Sequence, residues 1–279
     1  MRIGVGLPTT VPGGMGAVTL EWARLADERP FSSLGVLDRV AYQSLDPFLA
    51  LTAAASVTSR VRLATMVAVG PIRPAAVLAK QAASLHQVSS GRLVLGLSIG
   101  ARLEDYQAAG VDPRGRGRVL TEQLEAIRSH WEARDVTPGP EGAPPSILVG
   151  GLAGASFLRM ARGADGYAHG GGPPRAFARA AVMARTAWTD LRRPGRPELW
   201  GQGYFALGEE HREEGAAYLR HYYAFTGPFA EKVAAANLTT PQAIKDFVRG
   251  YEDAGCDELV LFPTVADPSQ VERLADSLW

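Results

Sequence analysis

Eight short apolar runs recur along the chain with helix-type patterns between them: Arg2–Leu7, Ser33–Asp38, Val61–Val67, Arg92–Ile99, Ser146–Val149, Gly166–His169, Leu199–Leu207 and Glu258–Phe262. Most are continuously apolar instead of alternating, the pattern of parallel strands covered by helices on the outside. Eight strands in strict alternation with helices point to a closed (β/α)8 TIM barrel of the α/β class over an open doubly wound sheet, which usually has fewer strands. The 279 residues suit that reading, because such barrels fill roughly 250 residues as one unit. One domain over residues 1–279 is expected.

The helices announce their own starts. Asp46-Pro47, Thr240-Pro241 and Asp267-Pro268 each pair an N-cap side chain with a proline suited to the first turn. Within Arg118–Glu132, Leu120, Leu124, Ile127 and Trp131 fall on one helical stripe, which should face the barrel wall. Thr240–Ala254 repeats the pattern through Ile244, Phe247, Val248 and Tyr251, with Gly255 placed to end the helix. Asp135–Pro145, with four prolines and two glycines, and Arg192–Pro197 read as surface loops. After the seventh strand, Glu209–Asn237 is longer than a common βα loop and carries Tyr218, Tyr222, Tyr223 and Phe225, so it is a candidate lid over the mouth.

Composition removes several function classes. The 29 basic and 29 acidic residues cancel and no basic run occurs, so nucleic acid is not an expected partner. Cys256 is the single cysteine, which excludes an intrachain disulfide, argues against a cysteine-rich metal site and fits the reducing cytoplasm. No signal pattern and no membrane-length apolar run is present. Only Lys80, Lys232 and Lys245 supply lysine, a usage expected of a GC-rich bacterial gene.

From Asp46 to Gly100 and from Glu104 to Trp131 the chain resembles the luciferase-like monooxygenase family. The resemblance rests on Asp46-Pro47 before an Ala-rich helix, Arg60-Val61-Arg62-Leu63 entering the third strand, Pro74 and Leu78-Ala79-Lys80-Gln81, and Ser90-Gly91-Arg92 leading the fourth. Val149-Gly150-Gly151, Ala164-Asp165-Gly166 and Ala254–Val260 extend it over nearly the whole chain, with Glu209–Asn237 its weakest stretch. It implies an oxidoreductase that binds reduced FMN, with oxygen as co-substrate, or coenzyme F420 for hydride transfer, at the C-terminal ends of the strands. A small organic substrate, a separate flavin or F420 reductase and a homodimeric assembly are the expected partners. A flavin-binding barrel without catalysis is the alternative from another class.

The resemblance also places residues. The Met66–Val67 peptide is expected to be cis and to support the cofactor ring, with Ser98, Ile99 and Gly100 closing the fourth strand beside it. Family members put an acidic residue where Asp38 stands, at the end of the second strand. Some F420 relatives follow it with His, where this chain has Arg39. Ala101 occupies a position at which certain F420 dehydrogenases carry Glu, and Arg102 lies near, not at, the arginine that luciferase subunits offer the flavin phosphate.

On physical grounds alone, the turn Val149, Gly150, Gly151, Leu152, Ala153 and Gly154 joins a strand to a helix, where free backbone N–H groups favour an anion. A tight turn that needs glycine only for its backbone is the competing reading. With the family match, phosphate contact is expected, although relatives often place Ser or Thr where Leu152 and Ala153 stand. Asp38 and Arg39 should both reach the mouth, as catalytic candidates or as a strand-terminal ion pair. His169 ends the sixth strand and is the histidine expected at the mouth, catalytic or structural. His86, His130 and His211 read as structural or solvated, His221 as lid packing, and no metal constellation emerges.

Overall fold

Successive residues of a strand point to opposite faces, and in this protein both faces of most strands are buried. In the computed structural model, which describes residues 1–135, 140 and 142–279, Leu93, Leu95 and Leu97 pack outward against helices while Val94 between them joins the barrel interior. Leu259 and Leu261 likewise face out and Val260 and Phe262 face in. Two apolar faces on one strand produce the continuous apolar runs of the sequence.

The described strands are β1 (Arg2–Gly6), β2 (Ser33–Val36), β3 (Arg62–Thr65), β4 (Ala68–Val69), β5 (Leu93–Ser98), β6 (Ser146–Gly150), β7 (Gly166–Ala168), β8 (Glu198–Phe205) and β9 (Glu258–Pro263). All pair in parallel in the order β3-β2-β1-β9-β8-β7-β6-β5-β4, and β3 also pairs with β5, which closes the ring. β3 and β4 are one stave interrupted at Met66–Val67, whose peptide bond is cis, as the resemblance implied. The eight staves match the eight expected strands with small shifts at their ends: Asp38 and Leu207 lie beyond the ladders, whereas the third stave runs on to Val69. Gly6 makes room inside the barrel: a Cβ there would stand 2.1 Å from Cδ1 of Phe262.

At the N-terminal end of the barrel, the fully buried Glu258 accepts hydrogen bonds from Arg2, Ser32, Ser33 and Arg62. The opposite, C-terminal end is left to the loops. Asp46 caps its helix through the N–H groups of Phe48 and Leu49, and Thr240 through that of Ala243. Asp267 accepts from the N–H of Ser269, where the last helix begins, one residue past Pro268. Leu120, Leu124, Ile127 and Trp131 are buried on Arg116–Ala133. Ile244 and Tyr251 are buried too, with Phe247 and Val248 half-buried beside them, and Gly255 follows their helix with φ +77°. Of the loop Asp135–Pro145, residues 136–139 and 141 lie outside the described residues.

The long segment after β8 folds into the helices Arg212–Tyr222 and Phe229–Ala235, linked by a single turn at Ala224–Thr226. Tyr218, Leu219 and Tyr222 are buried in the same cluster as the barrel-interior residues Leu37, Tyr204 and Phe262. Tyr218 Oη lies 2.6 Å from Thr10 Oγ1, and Tyr223 Oη 2.8 Å from Tyr204 Oη. The segment is therefore seated on the barrel mouth by aromatic packing and two hydroxyl pairs. No described helix is long and apolar enough to cross a membrane.

Candidate active site

A cavity of about 450 Å³ opens at the C-terminal ends of β4 to β8. Met66, Val67, Ser98, Ile99, Gly100, Gly150, Gly151 and His169 line it, bringing together eight of the expected site residues from four different staves. Val149, Leu152, Ala153 and Gly154 are not part of this wall. Val149 faces the outer helices, because a strand alternates its faces, and Leu152, Ala153 and Gly154 are exposed at the start of the helix Gly154–Gly163. Gly151 has φ +128°, and a Cβ there would sit 2.4 Å from Ser156 Oγ, so this turn requires glycine for its backbone and for the close approach of the helix.

Three lining residues escaped the sequence reading and contribute polar groups or shape: Arg116, Gln202 and Gly170. Arg116 belongs to the run Arg114, Arg116, Arg118, in which Asp112 stands two residues before Arg114 and Glu122 four residues after Arg118. Folding separates them. Arg114 pairs with Asp112 and Arg118 with Glu122. The Arg116 guanidinium carbon stands 5.6 Å from the Tyr106 ring centroid, and its Nη1 is buried with no hydrogen-bond partner among the described residues. A buried guanidinium nitrogen without an acceptor is costly, and here it belongs to a residue of the cavity wall. Gln202 stands on the inward face of β8, anchored by its Nε2 on Gly170 O at 3.2 Å. A glutamine inside the apolar run Leu199–Leu207 was a visible signal for this position.

His169 is almost fully buried, and its Nδ1 lies 3.3 Å from Tyr167 Oη. Tyr167 Oη donates to Gly151 O at 3.0 Å. Because that donation uses the phenolic proton, Tyr167 faces Nδ1 with its lone pairs, so the tautomer consistent with both contacts carries its hydrogen on Nδ1. Nε2, which has no partner among the described residues, is then the acceptor. Desolvation lowers the His169 pKa to about 4, with a backbone contact to Gly171 acting in the opposite direction. The ring is neutral at pH 7.

Asp38 and Arg39 diverge. Asp38, buried, accepts from Arg73 Nη1 at 2.6 Å, Arg73 Nη2 at 3.0 Å and the N–H of Val69 at 2.8 Å. Its carboxylate is committed to fixing β4 and the turn that follows. Arg39 turns the other way, with Nε 2.9 Å from Asp105 Oδ2 and its guanidinium over the rings of Tyr42 and Tyr222. It lines a second, separate cavity. Arg102 donates to Tyr222 O at 3.0 Å and lies over the rings of Tyr222 and Phe225, so it holds the long segment after β8. His86 binds Ala143 O and His130 binds Asp135, while His211 stands among Glu210, Glu214 and Asp267. No group of three or more metal-ligating side chains occurs among the described residues.

Apolar residues, a glycine turn and an unpaired arginine nitrogen fit a flat ring system carrying a phosphate. An uncharacterized protein of Mycobacterium tuberculosis (strain H37Rv) is 34% identical over 188 residues, covering 54% of this chain and 65% of that relative. The chain thus spans less than two thirds of this relative's length. The fold of an F420-dependent secondary alcohol dehydrogenase, solved with an F420-acetone adduct, superposes with a TM-score of 0.83 at 14% identity, over 99% of this chain and 98% of that one. The FMN complex of the oxygenating constituent of 3,6-diketocamphane monooxygenase, from a Pseudomonas putida plasmid, gives 0.74 at 16% identity, over 100% and 96%. Residues 1–255 match the family described as luciferase-like monooxygenase, and the chain belongs to that family.

Proposed function

We propose that the protein is a flavin-dependent oxidoreductase that uses reduced FMN and oxygen to oxygenate a small organic substrate, with the flavin in the 450 Å³ cavity. The observation that carries this reading is that Arg116, whose Nη1 is buried without a partner among the described residues, lines one cavity together with the Gly150–Gly151 turn, Met66 and Val67. When bound, the flavin would supply the electrons that activate oxygen. The protein's own residues bind, orient and exclude water. Arg116 and the turn hold the anionic end, since a charge-assisted hydrogen bond is about twice as strong as a neutral one. Met66, Val67 and Ile99 shut water from the ring. Neutral His169, held through Tyr167, fixes the wall of the cavity beside the glycine turn. Asp38 positions β4 through Arg73 and Val69.

F420-dependent hydride transfer is the second reading, favoured by the higher structural similarity to the alcohol dehydrogenase. Titration of the purified protein with FMN, F420 and riboflavin decides between them. The first reading expects FMN to bind more tightly than F420, and Arg116→Ala to weaken FMN about tenfold or more while leaving riboflavin, which has no phosphate, nearly unchanged. Preference for F420 transfers the assignment to hydride chemistry, and binding of neither removes the cavity from cofactor function.

A further inference from the structure

The second cavity, about 610 Å³, lies between the loops after β1 and β2 and is roofed by residues of the long segment after β8. It shares no lining residue with the first cavity. Yet the two adjoin: Ala101 lines one, Glu104 lines the other, and Arg102 between them lies over Tyr222 and Phe225 of the second cavity's wall.

We infer that this cavity is the substrate pocket and takes a neutral aromatic compound bearing a hydroxyl or carbonyl oxygen, held at the hydrogen-bonded pair Tyr42–His221. The inference rests on the reading that the first cavity holds the cofactor. Three aromatic rings, Tyr42, Tyr222 and Phe225, give the cavity an aromatic wall for a flat apolar body. Tyr42 and Tyr222 meet edge to face with ring centroids 5.3 Å apart. Tyr42 Oη lies 2.9 Å from His221 Nδ1, and this bond ties the loop after β2 to the roof. A hydroxyl or carbonyl inserted there finds a donor and an acceptor side by side. No lining cation is left over for an anion. Arg39 is consumed by the buried Asp105 and by Glu104 at 3.2 Å, and Glu104 itself faces the cavity. Thr10, which also lines the pocket, is taken by Tyr218.

The test uses three probes of one shape at pH 8: 2-naphthol, naphthalene and 2-naphthoate, titrated calorimetrically into the whole protein with and without FMN. Wild type should bind 2-naphthol about fivefold more tightly than naphthalene, the worth of one neutral hydrogen bond, and at least tenfold more tightly than 2-naphthoate. FMN should not displace it. Tyr42→Phe and His221→Leu should each bring 2-naphthol close to the naphthalene affinity with the circular dichroism and the FMN affinity unchanged; both side chains sit at the rim, outside the barrel core. Absence of 2-naphthol binding, equal affinity for the three probes, a preference that survives both substitutions, or competition with FMN overturns the inference. Failure of FMN to bind wild type overturns the cofactor assignment instead, and the probe comparison still reads the second cavity.

Discussion

Tyr167 and His169 stand two residues apart at the end of one stave, and the phenolic oxygen of the first lies 3.3 Å from Nδ1 of the second. Tyr167 simultaneously donates to Gly151 O, so the glycine turn, the phenol and the imidazole form one chain, which ends at an Nε2 buried without a partner among the described residues. The chain ties the orientation of the histidine to the conformation of the turn that would hold the anion.

Burial of His169 makes stability depend on acidity. Its pKa is about 4 in the folded protein against about 6.5 when unfolded. The unfolded chain binds the extra proton first as pH falls, so the contribution of neutral His169 is complete above about pH 6.5 and is lost down to about pH 4. The loss should amount to about 3 kcal/mol in all, on the order of 1.4 kcal/mol per pH unit. Urea unfolding of wild type and His169→Gln between pH 4 and 8 checks this. The difference in stability between the two should shrink as pH falls, and a constant difference contradicts the neutral, desolvated imidazole.

Gly151→Val should weaken FMN binding at least tenfold, about 1.4 kcal/mol, and lower Tm. The new side chain meets Ser156 and must adopt φ +128°, which a β-branched residue rarely tolerates. Riboflavin should lose less affinity than FMN. Gly154→Ala is the control, because a Cβ there has nothing within 4 Å.

Arg73→Ala should destabilise the protein by about 3–5 kcal/mol, since it leaves the buried Asp38 carboxylate without its cation. Asp38→Asn combined with Arg73→Met should recover part of that loss. Chemical denaturation of the wild type and the two variants measures the loss and its recovery, and a mild effect of Arg73→Ala alone shows that Asp38 is not committed to this pair.

Leu124→Ala removes a buried member of the stripe on Arg116–Ala133 and should cost about 2–5 kcal/mol. Thermal unfolding with a single cooperative transition at lower Tm is the expected record.

The barrel was legible because its signals are local: eight apolar runs, a stripe at helical spacing, and cap residues two or three positions from the N–H groups they accept from. Site residues at strand ends were legible for the same reason, since a stave end places Ser98, Gly150 and His169 at the mouth whatever the loops do. Side-chain commitments made over long sequence separations were not. Asp38 reads as a mouth residue until Arg73, 35 positions on, takes its carboxylate. Arg102 reads as a phosphate candidate until the segment after β8 lays Tyr222 and Phe225 against it. Arg116 differs: the partners that occupy Arg114 and Arg118 lie within four residues of them, a local signal that the sequence reading passed over.

A crystal structure of the protein soaked with FMN measures directly where a phosphorylated flavin sits. The predicted result places the phosphate within hydrogen-bond reach of the Arg116 guanidinium and the Gly150–Gly151 turn, with the ring over Met66 and Val67. A phosphate bound at Arg102, or a flavin ring in the cavity lined by Tyr42 and His221, contradicts it.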